Sequence, residues 1–261
     1  MEFQHKIALI TGGATGIGKA AAQRLLAEGA RVVINARTEE RLHETQAELD
    51  PTGERLAIVA GDIGQQDTAR RLVQTAVDRF GGVDILLNNA GIFRPTGFLE
   101  HTPDDLEAYL STIVRSTFYA SQAAIPEMKK RGGGSIVSTG SLWADFAIGA
   151  TPSSAYSAAM AGRHALTRNL AIEFAPDNIR VNAVAPAVIT TPIYLGFMSQ
   201  EQVDTVLPTF GGMHPLGKVG TPTDVMEAIL FLASDRAAFI TGTVLPVDGG
   251  VTAGLPAPQP A

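Results

Sequence analysis

Short runs of apolar, largely β-branched residues alternate along this chain with longer stretches in which apolar positions recur at helical spacing. The runs are "KIALI" (6–10), "RVVIN" (31–35), "RLAIVA" (55–60), "VDILLN" (83–88), "GSIVS" (134–138), "IRVNAV" (179–184) and "TVLPV" (243–247). They are apolar almost throughout rather than at every second position, which predicts strands buried on both faces. Helices are predicted between them, for example over 16–28, 39–49, 65–79, 155–174 and 222–233. Strand–helix alternation at this spacing implies right-handed βαβ units, and so an α/β fold with a doubly wound parallel sheet. The stretch 190–221 is broken by Pro and Gly and predicts a lid over a site rather than a core element. One domain is expected over 1–252, followed by a flexible tail, 253–261, rich in Pro and Ala.

Composition narrows the function classes. A hydrophobic content of 45% in 261 residues supports one large core. The net charge of −6 and a pI near 5.4 argue against a nucleic-acid or anionic-membrane partner. Absence of cysteine excludes disulfides and thiolate metal sites. No segment approaches the roughly 18 apolar residues of a membrane span. "MEFQHK" lacks the basic-then-apolar order of a secretory signal. The expected location is the cytoplasm.

Candidate chemistry begins directly after the first run, with "TGGATGIG" at 11–18 and a helix behind it. Glycines there allow a tight turn and close approach of backbone to a diphosphate, and the helix start offers free N–H groups. The second run ends "INART". An acidic residue at its tip would hold a ribose hydroxyl, whereas Ala36 stands there with Arg37 after it. An arginine suits a 2′-phosphate, so NADP(H) is favoured over NAD(H). Thr15 adds no second positive charge.

By these residues the chain resembles the short-chain dehydrogenase/reductase family nearly end to end, which implies a single-domain Rossmann-type fold. "TGGATGIG" matches the family's TGxxxGxG loop, with Gly12, Thr15, Gly16, Ile17 and Gly18 against the cofactor. "GDI" at 61–63 implies Asp62 bonding the adenine and Ile63 packing on it. "NNAG" at 88–91 places Asn89, Ala90 and Gly91 beside the cofactor. "PLGKVGTPTDVMEAILFLASDRAAFITGTVLPVDGG" matches the C-terminal pattern, and Thr191 matches the threonine that meets the carboxamide. The resemblance implies hydride transfer between a nicotinamide and a carbonyl or hydroxyl group of a small organic molecule. It also implies a homodimer or homotetramer, and no metal.

The same resemblance assigns the proton donor to Tyr156 in "YSAAM" and the orienting serine to Ser141 in "IVSTGSL", with Ser138 a weaker candidate because the 15-residue gap to Tyr156 is long. Two other positions depart. The family's lysine position is Met160, its asparagine position is Ile113, and Ala187 stands where a glycine is usual. A thioether supplies no charge, and general acid–base assistance is worth ~10²–10⁴ in rate. A slow reductase is therefore expected. The alternatives are non-redox chemistry on the same fold (dehydration, isomerisation or cyclisation) and a non-catalytic nucleotide-binding partner subunit. Arg163 and His164, two turns after Tyr156, Asp145 beyond Ser141, Trp143 and His214 are further candidates. Arg163 could reach the site, pair with a carboxylate or lie in an interface.

Overall fold

A computed structural model of the chain describes residues 1–254. Seven strands form one all-parallel sheet: β1 (Ile7–Thr11), β2 (Arg31–Ala36), β3 (Leu56–Ala60), β4 (Ile85–Asn88), β5 (Gly134–Thr139), β6 (Ile179–Pro186) and β7 (Val244–Val247). Their order is β3-β2-β1-β4-β5-β6-β7, with Leu9 level with Val33 on one side and Leu86 on the other. Strand order reverses between β1 and β4, and open α/β sheets bind ligands beyond the strand ends at such a switch. Each run predicted from the sequence is a strand, with boundaries moved by one or two residues. β4 starts late because the Asp84 carboxylate accepts the Ile7 amide at 2.8 Å and Arg131 Nε at 2.6 Å.

Helices cover both faces. On one lie α1 (Gly16–Ala27), α2 (Glu39–Leu49) and α8 (Pro222–Ala233), packing Leu25, Leu42, Val225 and Ile229 against Ile10 and Ile34. On the other lie α3 (Gln66–Phe80) and, further along the chain, the helix Ser116–Lys130, packing Leu72, Ala76, Ala120 and Ala124 against Leu9 and Ile136. Cap chemistry explains the ends. Thr221 and Asp224 close a reciprocal capping box with Pro222 at the first helical position, and α3 stops at Gly81, whose φ is +93°.

Two segments differ from the simple alternation. Between β4 and β5, residues 103–130 form a continuous helical stretch: α4 (Pro103–Tyr109), a π-helical turn (Leu110–Arg115) and α5 (Ser116–Lys130). The region 190–221 does carry structure, with α7 (Gln200–Val206) capped by Ser199 and Gln202 and with Val203 and Leu207 buried. The predicted helix 155–174 is α6 (Ser154–Phe174). At the other end a 3-10 turn, Val251–Ala253, runs one residue past the expected domain limit, and the rest of the expected tail, 255–261, lies outside the described residues. Among the described residues no helix is long and apolar enough to cross a membrane.

Candidate active site

A cleft of about 670 Å³ opens over the ends of β1, β4, β5 and β6. Its nucleotide end is built by the turn after β1. Gly12 sits at φ +66°, where a Cβ would come 3.0 Å from Ala90 Cα, and Gly16 at φ +54°. A side chain at either would strain the turn and fill space that the cleft needs. Gly18 serves packing, since its Cβ would fall 2.6 Å from Asn89 Nδ2. The N-cap of α1, Thr15, makes no side-chain cap, which leaves the first amides of the helix free for an anion.

Asn89 binds this turn to the reaction end. Its Nδ2 donates to Thr11 O at 3.2 Å and Gly12 O at 3.1 Å, while its Oδ1 accepts from Thr139 Oγ1 at 3.1 Å. Thr11 Oγ1 accepts from the amides of Asn89 and Ala90 at 2.9 and 3.0 Å.

Gly12, Thr15, Gly16, Ile17, Arg37, Asn89, Ala90, Gly91, Ser141, Tyr156 and Thr191 all line the cleft. Gly18, Asp62 and Ile63 do not. Asp62 is exposed and accepts the Gly64 amide at 2.9 Å, and Ile63 is buried in the core. Arg37 is joined in the lining by Arg41, one turn into α2. Both are exposed and, among the described residues, neither has an ion-pair partner. The turn thus offers two cations rather than one. No motif marks Arg41, although its i+4 spacing from Arg37 on a helix start is visible in the sequence.

Ser141 lies two residues past the end of β5 and caps a 3-10 turn (Leu142–Ala144), its Oγ accepting the Trp143 amide at 3.3 Å. Ser138 is buried within β5, so the two serines are not equivalent. Tyr156 lies in the first turn of α6, nearly buried, against Phe93 at 5.0 Å and Tyr109 at 6.0 Å between ring centroids. Burial pushes its phenol pKa up, while the neighbouring Ser141 hydroxyl and the Arg163 charge pull it down. Phe93 also meets Trp143, Tyr194 and Phe197 within 6.4 Å. It is the hub of an aromatic wall that no sequence motif announces. Trp143 Nε1 is held by Thr151 Oγ1 at 3.0 Å, and burial raises the Tyr194 phenol as well.

Met160 is buried and lines the cleft beside Gly91, and Ile113 is fully buried within the π-helical turn. Among the described residues Arg163 reaches no carboxylate, and it does not reach the surface. It is 0% exposed and turned inward, donating from Nε to Thr117 Oγ1 (2.9 Å), from Nη1 to Thr139 O (2.7 Å) and from Nη2 to Ala90 O (2.8 Å) and Ile113 O (3.1 Å). Burial lowers its pKa to about 10, so it stays charged. Asp145 and His214 stand off the cleft. Asp145 Oδ2 lies 3.1 Å from His164 Nδ1, whose Nε2 faces the Ser141 amide at 3.4 Å. His214 is buried with Nδ1 2.8 Å from Phe210 O. Burial holds His164 below the ordinary histidine range.

Comparison with known proteins matches residues 12–252 to the family model described as enoyl-(acyl carrier protein) reductase. A 2,5-dichloro-2,5-cyclohexadiene-1,4-diol dehydrogenase, LinX, of Sphingobium indicum is 36% identical over 96% of this chain and 97% of its own length. A 3alpha-hydroxysteroid dehydrogenase of Mediterraneibacter gnavus is 35% identical over 95% and 98%. The crystal structure of a short-chain type dehydrogenase/reductase from Mycobacterium marinum superposes with a TM-score of 0.89 at 31% identity, covering 97% of this chain and 98% of that one. With a βαβ sheet of this order, a glycine turn at its switch point and matches running nearly end to end, the chain belongs to the short-chain dehydrogenase/reductase family of oxidoreductases.

Proposed function

We propose that the chain is an NADP(H)-dependent oxidoreductase that interconverts a hydroxyl and a carbonyl group on a small, uncharged, ring-bearing molecule. The observation that carries this is one cleft shared by the glycine turn, Ser141 and Tyr156. The amides of the turn and of the α1 N-terminus would hold the diphosphate. Arg37 and Arg41 would take the 2′-phosphate, the exposed Asp62 would reach the adenine from outside the lining with Ile63 packed in the core behind it, Asn89, Ala90 and Gly91 would line the path, and Thr191 would meet the carboxamide. When bound, the nicotinamide supplies or accepts the hydride. Ser141 holds the substrate oxygen, and Tyr156 gives it a proton or takes one back.

Among the described residues the charged side chains of the lining are Arg37 and Arg41, both at the nucleotide end. Ile92, Phe93, Trp143, Ile193, Tyr194 and Leu195 surround the other end. Such a wall rewards an apolar ring by area burial, at roughly 25 cal/mol per Å², and gives a carboxylate no partner. The two named relatives act, by their names, on a ring diol and a hydroxysteroid. A phenol whose pKa is pushed up keeps its proton at neutral pH, which favours ketone reduction over alcohol oxidation. With Met160 and Ile113 where the family places its lysine and asparagine, turnover is slow. The enzyme works as a homodimer or homotetramer in the cytoplasm. Dehydration or isomerisation loses support because Asp145 and His214 stand off the cleft.

The test is oxidation of NADPH, followed by its absorbance, over a panel of cyclic ketones. Reduction of at least one is expected, with Tyr156→Phe cutting kcat by ~10²-fold or more. An unchanged rate in that variant would remove Tyr156 as proton donor.

A further inference from the structure

Among the described residues Arg163 is the largest fully buried side chain, and its four hydrogen bonds to them all go to neutral oxygens. Burying a cation without a counter-charge is costly even after relaxation, and four acceptors recover only part of that cost. A hydrocarbon would fill the same volume at lower cost. The titratable neighbours of the charge are His164, the next residue of α6, and Tyr156, whose phenol also faces those of Tyr109 and Tyr194. Tyr156 lies seven residues, about two turns, earlier. Side chains on a helix lean towards its N-terminus, so the guanidinium is carried back towards the tyrosine. Its bond to Ala90 O places it next to Gly91, the residue against which the Met160 methyl packs. Its bond to Thr139 O places it two residues before Ser141. The cation therefore sits a layer beneath the cleft, under the residues that face the reaction, in surroundings of low dielectric where its field is poorly screened.

We infer that Arg163 is a positioning residue that acts through Tyr156, lowering the cost of the phenolate from below, in a chain whose residue one turn after the tyrosine is a thioether. The inference rests on Tyr156 being the proton donor of the proposed reaction. It goes beyond that reading in giving the buried arginine an electrostatic task in addition to its clamp on the segment after β4, on β5 and on the π-helical turn.

A ring-fluorinated tyrosine placed at position 156 brings the phenol titration into the range where the fold survives, and fluorine NMR follows it in ligand-free protein. Arg163→Lys keeps the charge. Arg163→Met and Arg163→Gln remove it. Met160→Lys/Arg163→Met returns a charge from another position without the clamp. The expected result is a rise in the phenol pKa of at least about one unit, tenfold in the proton equilibrium, in the two neutral variants. Arg163→Lys and the double variant are expected to keep a titration no higher than wild type, and kcat–pH profiles on any reduced ketone to shift in parallel. An unmoved titration in a folded neutral variant, or Arg163→Lys behaving like Arg163→Met, overturns the inference and leaves a structural clamp. Should neither neutral variant fold, the double variant is compared with Met160→Lys alone. A titration higher by about that same unit in the double variant sustains the inference, and equal titrations overturn it. Because the titration needs no turnover, a chain that reduces no ketone would sink the proposed function without touching this result.

Discussion

Removing both arginines of the nucleotide end, as Arg37→Ala/Arg41→Ala, should separate the two nicotinamide dinucleotides. Both side chains are exposed and, among the described residues, free of carboxylate partners, so neither is committed elsewhere. A hydrogen bond to a charged group contributes ~1.5–3 kcal/mol. Solvent screening at an exposed site places each contact near the lower figure. Two such contacts amount to about 3 kcal/mol, or roughly 100-fold in Kd. Calorimetry with NADPH and NADH in parallel measures it. NADPH affinity should fall by about two orders of magnitude and NADH affinity should stay within a factor of a few, since the glycine turn that holds the shared diphosphate is untouched. The NADPH loss should also shrink with added salt, because exposed charges are screened within ~8 Å at physiological ionic strength. Equal losses for both nucleotides, or none for NADPH, would refute the assignment of this pair to the 2′-phosphate.

Gly18→Ala puts a methyl against Gly12 O and 2.6 Å from Asn89 Nδ2; overpacking of this kind costs ~1–3 kcal/mol, and a thermal midpoint lowered by several degrees together with weaker binding of both nucleotides is expected, an unchanged midpoint counting against the packing role. His164 gives a pH dependence whose sign follows from its burial, which, with Arg168 and Arg163 and against Asp145, holds the imidazole neutral below its ordinary pKa. Above about pH 6.5 both folded and unfolded chains carry it neutral and its contribution is complete; as pH falls through that value the unfolded chain takes up the proton first, and stability is lost down to the depressed folded pKa. Melting midpoints at constant ionic strength should therefore fall as the pH is lowered below about 6.5, and His164→Gln should flatten that slope; an equal slope in both proteins would exclude His164 as its source.

The strands were legible because both faces of a parallel sheet demand the same apolar chemistry, so each run carried its own signal. The glycine turn was legible for a similar reason, since backbone crowding at Gly12 and Gly18 leaves no side chain as an option. What the sequence hid is long-range. The direction of Arg163 depends on three carbonyls, from the segment after β4, from β5 and from the π-helical turn, and no local pattern records where a long side chain ends. The pairing of Asp145 with His164 spans 19 residues, and the wall around Phe93 gathers rings from four separate segments. The Ser199–Gln202 capping box was written in the chain, but Pro and Gly on either side outweighed it.

The single tryptophan of the chain, Trp143, is held at the wall of the cleft by Thr151. All indole emission of the protein therefore comes from one place, and that place is the one a substrate must enter. Quenching by a ligand, or energy transfer to a reduced nicotinamide, would register occupancy of this cleft in the native sequence without any label. The chain carries its own optical gauge, suited to screening compounds before a substrate is in hand.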